Sequence, residues 1–107
     1  MPAGFVITDA GFYLGLTEGV YHSQDSGSSW ISLKDGLDAK RIHALAVVKN
    51  TVFAGTNNGL YRLSAGTWER VSIRPEGVST EKPTIYALVV AEHRLYAAAR
   101  DAEMQSK

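Results

Sequence analysis

The feature that most constrains this chain is that it repeats. Residues 11–21 (GFYLGLTEGVY) align with residues 51–61 (TVFAGTNNGLY) at an offset of 40, setting Gly15 on Gly55, Gly19 on Gly59 and Tyr21 on Tyr61. A second alignment, at an offset of 43, sets residues 42–54 (IHALAVVKNTVFA) on residues 85–97 (IYALVVAEHRLYA), with Ile, Ala, Leu, Val and Ala identical at 42/85, 44/87, 45/88, 47/90 and 54/97. A period of this size belongs to a supersecondary unit that cannot bury its apolar face alone and stacks on copies of itself. The 107 residues hold about two and a half such units.

Within each unit, runs of β-branched and aromatic residues are punctuated by Gly, Asn, Asp and Ser, the composition of short strands joined by tight turns. In the second copy the pattern predicts strand A over Ile42 to Lys49, B over Thr51 to Thr56, C over Gly59 to Ser64 and D over Thr67 to Ser72. The first copy runs A from Ala3 to Asp9, B from Gly11 to Leu16, C from Gly19 to Gln24 and D from Ser29 to Leu33; the third has A over Thr84 to Ala91 and B over Arg94 to Ala99. Asn57-Asn58-Gly59 supplies residues that tolerate the positive φ of a tight B–C hairpin. The A strands (ALAVV, YALVVA) are apolar on consecutive residues instead of alternating, which predicts that both faces of each sheet are covered.

Repeated four-stranded antiparallel units with two buried faces predict an all-β chain of tandem β-propeller blades, an incomplete propeller of about 10 strands. It is expected to be one domain, with blade one over about 3–33, blade two over about 42–72, a half blade over about 84–99 and a polar tail over 100–107. Residues 95–104 also favour a helix, but an isolated helix that short is marginal in water, so a strand end followed by the tail is expected.

Between strands C and D of the first copy stands Ser23-Gln24-Asp25-Ser26-Gly27-Ser28-Ser29-Trp30, an S-x-D-x-G-x-x-W motif. It resembles the Asp-box, or bacterial neuraminidase repeat. The chemistry of the motif is local: a short Asp side chain accepts hydrogen bonds from its own turn, and Gly adopts the left-handed conformation that the turn needs. Trp30 is expected to insert its ring between sheets and to find a partner for its indole N–H. The second copy departs from the motif, since Leu63-Ser64-Ala65-Gly66-Thr67-Trp68 has no Asp and keeps only Gly66 and Trp68. The resemblance implies a propeller fold found in sialidases, other glycosidases and many bacterial repeat proteins, and it implies structural roles for Ser23, Asp25, Gly27, Trp30 and Trp68. Fold alone does not carry function.

Charge excludes some partners. Eleven Lys+Arg against eleven Asp+Glu, scattered singly, leave no basic stripe for nucleic acid and no polybasic segment for an anionic membrane. The longest apolar run, Ile85 to Ala91, is seven residues where a membrane-spanning helix needs about 20, and residues 1–12 lack an export-signal pattern. Without cysteine there is no disulfide, thiolate metal site or cysteine nucleophile, and the compartment stays open. Glycoside hydrolysis of the sialidase type would need three arginines converging on a carboxylate, with a Tyr-Glu pair and an Asp acid. None of the arginines at 41, 62, 70, 74, 94 and 100 stands in such a context. His22, His43 and His93 lack the short spacings of a shared metal, and the loop carboxylates lack calcium-loop spacing, so neither metal nor cofactor is expected.

Loops on a rigid scaffold concentrate binding residues. In a four-strand meander the B–C and D–A loops share one end, and there the candidate contacts are Glu18, Lys40, Arg41, Asn57, Asn58, Arg74, Glu76 and Lys82. The expected role is a non-catalytic module for protein–protein interaction or scaffolding, within a larger bacterial repeat protein, with other blades or a second copy of the chain as partners. A carbohydrate-binding module and a fragment of a sialidase-like hydrolase are the alternatives.

Overall fold

The computed structural model describes residues 2–39, 41–71 and 84–100. They form ten strands: β1 (Pro2–Thr8), β2 (Gly11–Leu16), β3 (Gly19–Ser23), β4 (Ile31–Leu33), β5 (Ile42–Val48), β6 (Thr51–Thr56), β7 (Gly59–Ser64), β8 (Thr67–Val71), β9 (Thr84–Ala91) and β10 (Arg94–Arg100). β1 to β4 and β5 to β8 are antiparallel meanders of four strands in chain order, and β9 with β10 makes a third, two-stranded sheet. The described residues contain no helix, and 95–100 is strand. Ser72 and residues 101–107 lie outside the described residues.

The sequence offsets reappear as register. Phe5 faces Leu14, Leu45 faces Ala54 and Leu88 faces Ala97 across the first hairpin of each sheet. The register slips at the same place in all three, between Pro2 and Gly4, between Ile42 and Ala44, and between Ala98 and Ala99. A bulge bends and twists its strand, so repeating it gives the sheets a common shape that can stack.

Turn chemistry sets the strand ends. Lys49 and Asn50 (φ 48° and 68°), Ala65 and Gly66 (52° and 82°) and Glu92 and His93 (52° and 65°) make two-residue turns with positive φ throughout, the kind whose twist matches antiparallel strands. β5 therefore stops at Val48, one residue before the predicted end, because Lys49 enters the turn. In the β6–β7 turn the positive φ falls on Gly59 (99°) and not on the asparagines; the Asn58 N–H instead bonds Thr56 Oγ1 at 2.9 Å. β4 begins at Ile31 instead of Ser29, and β3 ends at Ser23, because the intervening backbone belongs to the turn that Ser23 and Asp25 hold.

The sheets stack face to face, with the β5 sheet in the middle. Leu45 reaches across to β1 and β2, where a Cβ added to Gly4 would stand 3.2 Å from its Cβ and one added to Gly15 would stand 2.9 Å from its Cγ. On the opposite face Ile85 closes on Gly55, whose added Cβ would lie 2.6 Å from Ile85 Cγ2. Glycine on the second strand is what lets the next sheet approach so closely. Between the first two sheets lies the core of Tyr13, Val20, Ile42, Leu45, Val52, Ala54, Tyr61 and Trp68. Ala44, Leu45 and Ala46 are buried in succession because β5 is covered on both sides. The same expectation fails at the two ends of the stack: Phe5 and Ile7 on β1 and Val89 on β9 are exposed, because no described sheet lies over their outer faces.

Candidate functional site

The turn of residues 23–30 is built from its own side chains. The buried Ser23 hydroxyl donates to Asp25 Oδ1 at 2.8 Å and accepts from the Gly27 N–H at 2.8 Å. Asp25 Oδ1 also accepts from the Ser29 N–H at 2.8 Å, and Oδ2 accepts from the Ser29 hydroxyl. Ser26 (φ 59°) and Gly27 (φ 94°) turn the chain through the left-handed region. Only the glycine does so freely, and the strained Ser26 is held by the bonds around it. The Ser29 hydroxyl, then the Ser29 N–H, then the Ser23 hydroxyl stabilise the carboxylate and hold the Asp25 pKa down from 3.8 to about 2.

That depression has a sign. Ionised Asp25 contributes stability fully above pH 3.8 and loses it as the pH falls towards 2. Asp25→Ala is expected to lower the melting temperature slightly at neutral pH, by a difference that vanishes between pH 4 and pH 2. A difference that stays constant across that window in paired thermal melts would show that the carboxylate does not hold the turn.

Trp30 corrects a prediction. It remains 36% exposed and does not insert between sheets. Its indole N–H donates to Gly27 O at 3.1 Å, so the ring lies back over the turn that precedes it. The inserted tryptophan is Trp68, 2% exposed, whose indole N–H crosses to Leu33 O of the first sheet at 3.2 Å. The physical reason is the neighbour. The second sheet has the first one beside it, whereas no described sheet covers the outer side of the first.

The opposite end of the stack gathers the B–C loops and the connection between sheets. Asn57 Oδ1 accepts from the Arg41 N–H at 3.0 Å, and the Asn57 N–H returns to Arg41 O at 3.2 Å. The Asn58 amide and the Tyr61 hydroxyl both donate to Asp38 O, the latter at 3.0 Å. Asn57 and Asn58 thus tie down the linker as well as facing the loop end. Glu18 is exposed and borders an open cleft of about 340 Å³ that also touches Tyr21, Ser32 and Lys34. Lys40, Arg74, Glu76 and Lys82 lie outside the described residues. The structure therefore brings Arg41, Asn57 and Asn58 together around the linker and sets Glu18 on a cleft of the first sheet.

Sequence reasoning missed Tyr61, Asp35 and Gly36. Asp35 O accepts from the Trp68 N–H at 2.8 Å, and Gly36 (φ 83°) packs against the Trp68 backbone. The Asp35-Gly36 dipeptide is a turn signal, but nothing local announces what the turn will meet. At the other end Asn50 donates to Asp9 Oδ2 at 2.6 Å and accepts from its N–H at 3.2 Å, joining the A–B loops of the first two sheets.

The remaining polar groups stand apart. His22 stacks on Tyr13 with centroids 4.3 Å apart and reaches Ala10 O through Nε2 at 2.9 Å, while His43 faces the Tyr86 ring at 5.2 Å. Arg62 pairs with Glu69 at 3.0 Å across β7 and β8. Among the described residues no group of three or more His, Cys, Asp or Glu could hold a metal ion. Comparison with family models, curated proteins and solved structures finds no match, so the likeness of residues 23–30 to the Asp-box rests on the motif itself.

Proposed function

We propose that the chain is an array of β-propeller-type blades working as a non-catalytic module for protein–protein interaction or scaffolding. The observation that carries this reading is the threefold recurrence of one hairpin register, bulge included, in sheets stacked face to face. Such stacking is how propeller blades bury their faces. The box turn supports it from another side: the Asp25 carboxylate is occupied by Ser23 and Ser29, as befits a fold element. Contact residues for a partner are then sought at the loop end, around Glu18, Arg41, Asn57 and Asn58.

Two assays test the reading. Purified chain is expected to leave a fluorogenic sialoside unhydrolysed above the buffer blank and to give no signal on a glycan array. Turnover that disappears when Arg41 or Arg70 is replaced would overturn the module in favour of a sialidase-like hydrolase. Saturable glycan binding lost in Glu18→Ala would replace protein interaction by carbohydrate recognition.

A further inference from the structure

The chain holds one Asn-Gly step, Asn58-Gly59, and it falls in the turn between β6 and β7. Asparagine before glycine is the pairing most open to deamidation, because no Cβ keeps the glycine nitrogen from the side-chain carbonyl carbon. In that reaction the Gly59 nitrogen gives up its proton to a solvent base and bonds to Asn58 Cγ. The Cγ–Nδ2 bond breaks, and Nδ2 takes a proton from water and leaves as ammonia. Water then opens the cyclic imide at one of its two carbonyls, leaving either aspartate or an isoaspartyl link at 58. Water is the one co-reactant, and nothing is oxidised or reduced. Asn57 and Asn50 differ, since they precede Asn58 and Thr51, whose side chains crowd the attacking nitrogen.

In the folded chain both ends of the bond to be made are pinned. Asn58 Nδ2 donates to Asp38 O and stands 3.4 Å from the Tyr61 hydroxyl, which draws the side chain to the linker between the first two sheets. The Asn58 N–H bonds Thr56 Oγ1 at 2.9 Å, and that hydroxyl donates to Gly59 O at 2.8 Å. Gly59 is buried and pairs with Thr56 in the ladder, so its nitrogen is kept from the solvent base that must take its proton. Attack therefore waits for the turn to open.

We propose that Asn58 is a deamidation site guarded by the Asp38 linker, and that its conversion unties that linker from the second sheet. The amide suits the position because it donates where the linker offers a carbonyl. A carboxylate has no proton to give, and it sets a negative charge beside Asp38 O. Tyr61, which donates to Asp38 O at 3.0 Å, has a single hydroxyl proton, and the carbonyl and the new carboxylate compete for it. An isoaspartyl link adds a backbone atom to a turn whose length the pairing of Thr56 with Gly59 fixes. The first copy has Glu18-Gly19 at this place, with no amide to lose, so the reaction has no counterpart there.

The test ages the full chain at mildly alkaline pH and follows its peptides by mass spectrometry. Conversion is expected at Asn58 and not at Asn50 or Asn57, roughly 10–100-fold faster in urea than in the folded protein, since the bonds to Asp38 O and Thr56 must open first. Tyr61→Phe, which keeps the buried ring and drops the hydroxyl, is expected to raise the folded rate several-fold and to leave the rate in urea unchanged. If that variant loses its cooperative melt, the parent chain with and without urea carries the comparison. Asn58→Asp is expected to melt below the parent at neutral pH and to recover below about pH 4, where the protonated carboxyl donates to Asp38 O again. Should it fail to fold, the aged chain, separated by its added negative charge, takes its place. Equal rates with and without urea, no conversion in urea, or an unchanged rate in folded Tyr61→Phe would overturn the guarded site. An Asn58→Asp melt that matches the parent at every pH would overturn the release of the linker.

Discussion

Trp68→Ala is expected to cost about 3–5 kcal/mol and to unfold most of the molecules, since domains of this size are stable by only about 5–15 kcal/mol. The indole is 2% exposed and fills the space between the first two sheets. Truncation leaves a cavity that β-sheets, held by their ladders, cannot collapse around, and it orphans Leu33 O, which now accepts the indole N–H. Trp30→Ala is expected to cost only about 1 kcal/mol, because one hydrogen bond to Gly27 O and partial burial are all that it removes. Urea melts of the two variants provide the comparison. If Trp30→Ala proved the more damaging, the assignment of Trp68 as the inserted residue would be wrong.

Gly36→Ala has the second-largest expected effect, on the order of 3 kcal/mol from positive-φ strain together with steric overlap. Gly36 sits at φ 83°, and an added Cβ would run into the Trp68 carbonyl oxygen. Relief requires the linker to move away, which breaks the bond from the Trp68 N–H to Asp35 O. Gly66→Ala is the internal control. It shares the conformation (φ 82°), yet nothing lies within 4 Å of its added Cβ, so only the conformational cost of about 1 kcal/mol remains. Denaturant midpoints that rank the two alanine variants equally would show that the close approach of linker and second sheet contributes nothing. Gly36 and Trp68 meet at one junction, so the double variant is expected to lose less than the sum of the single losses.

Both predictions concern the junction between repeats, and there local reasoning stops. The strands were legible because their signals are short-ranged: β-branched runs, and turn residues such as Asn50 and Gly66 that tolerate positive φ. The turn of residues 23–30 was legible for the same reason, since the bonds from Ser23, Gly27 and Ser29 that hold it span at most four residues of separation. Contacts between Tyr61 and Asp38, 23 residues apart, or between Asp9 and Asn50, 41 apart, leave no mark in either neighbourhood.

The sequence by itself determined the repeat, the strands and the tight turn at residues 23–30, because each follows from the identity of residues a few positions apart and from a pattern copied at offsets of 40 and 43. Only the tertiary structure decided which copies of an equivalent residue are buried. Trp30 and Trp68 stand at matching places, as do Phe5 and Leu45, yet one member of each pair is exposed and the other lies in the core. Burial belongs to the space between two sheets, and a residue's own surroundings in the chain carry no record of whether a second sheet stands opposite.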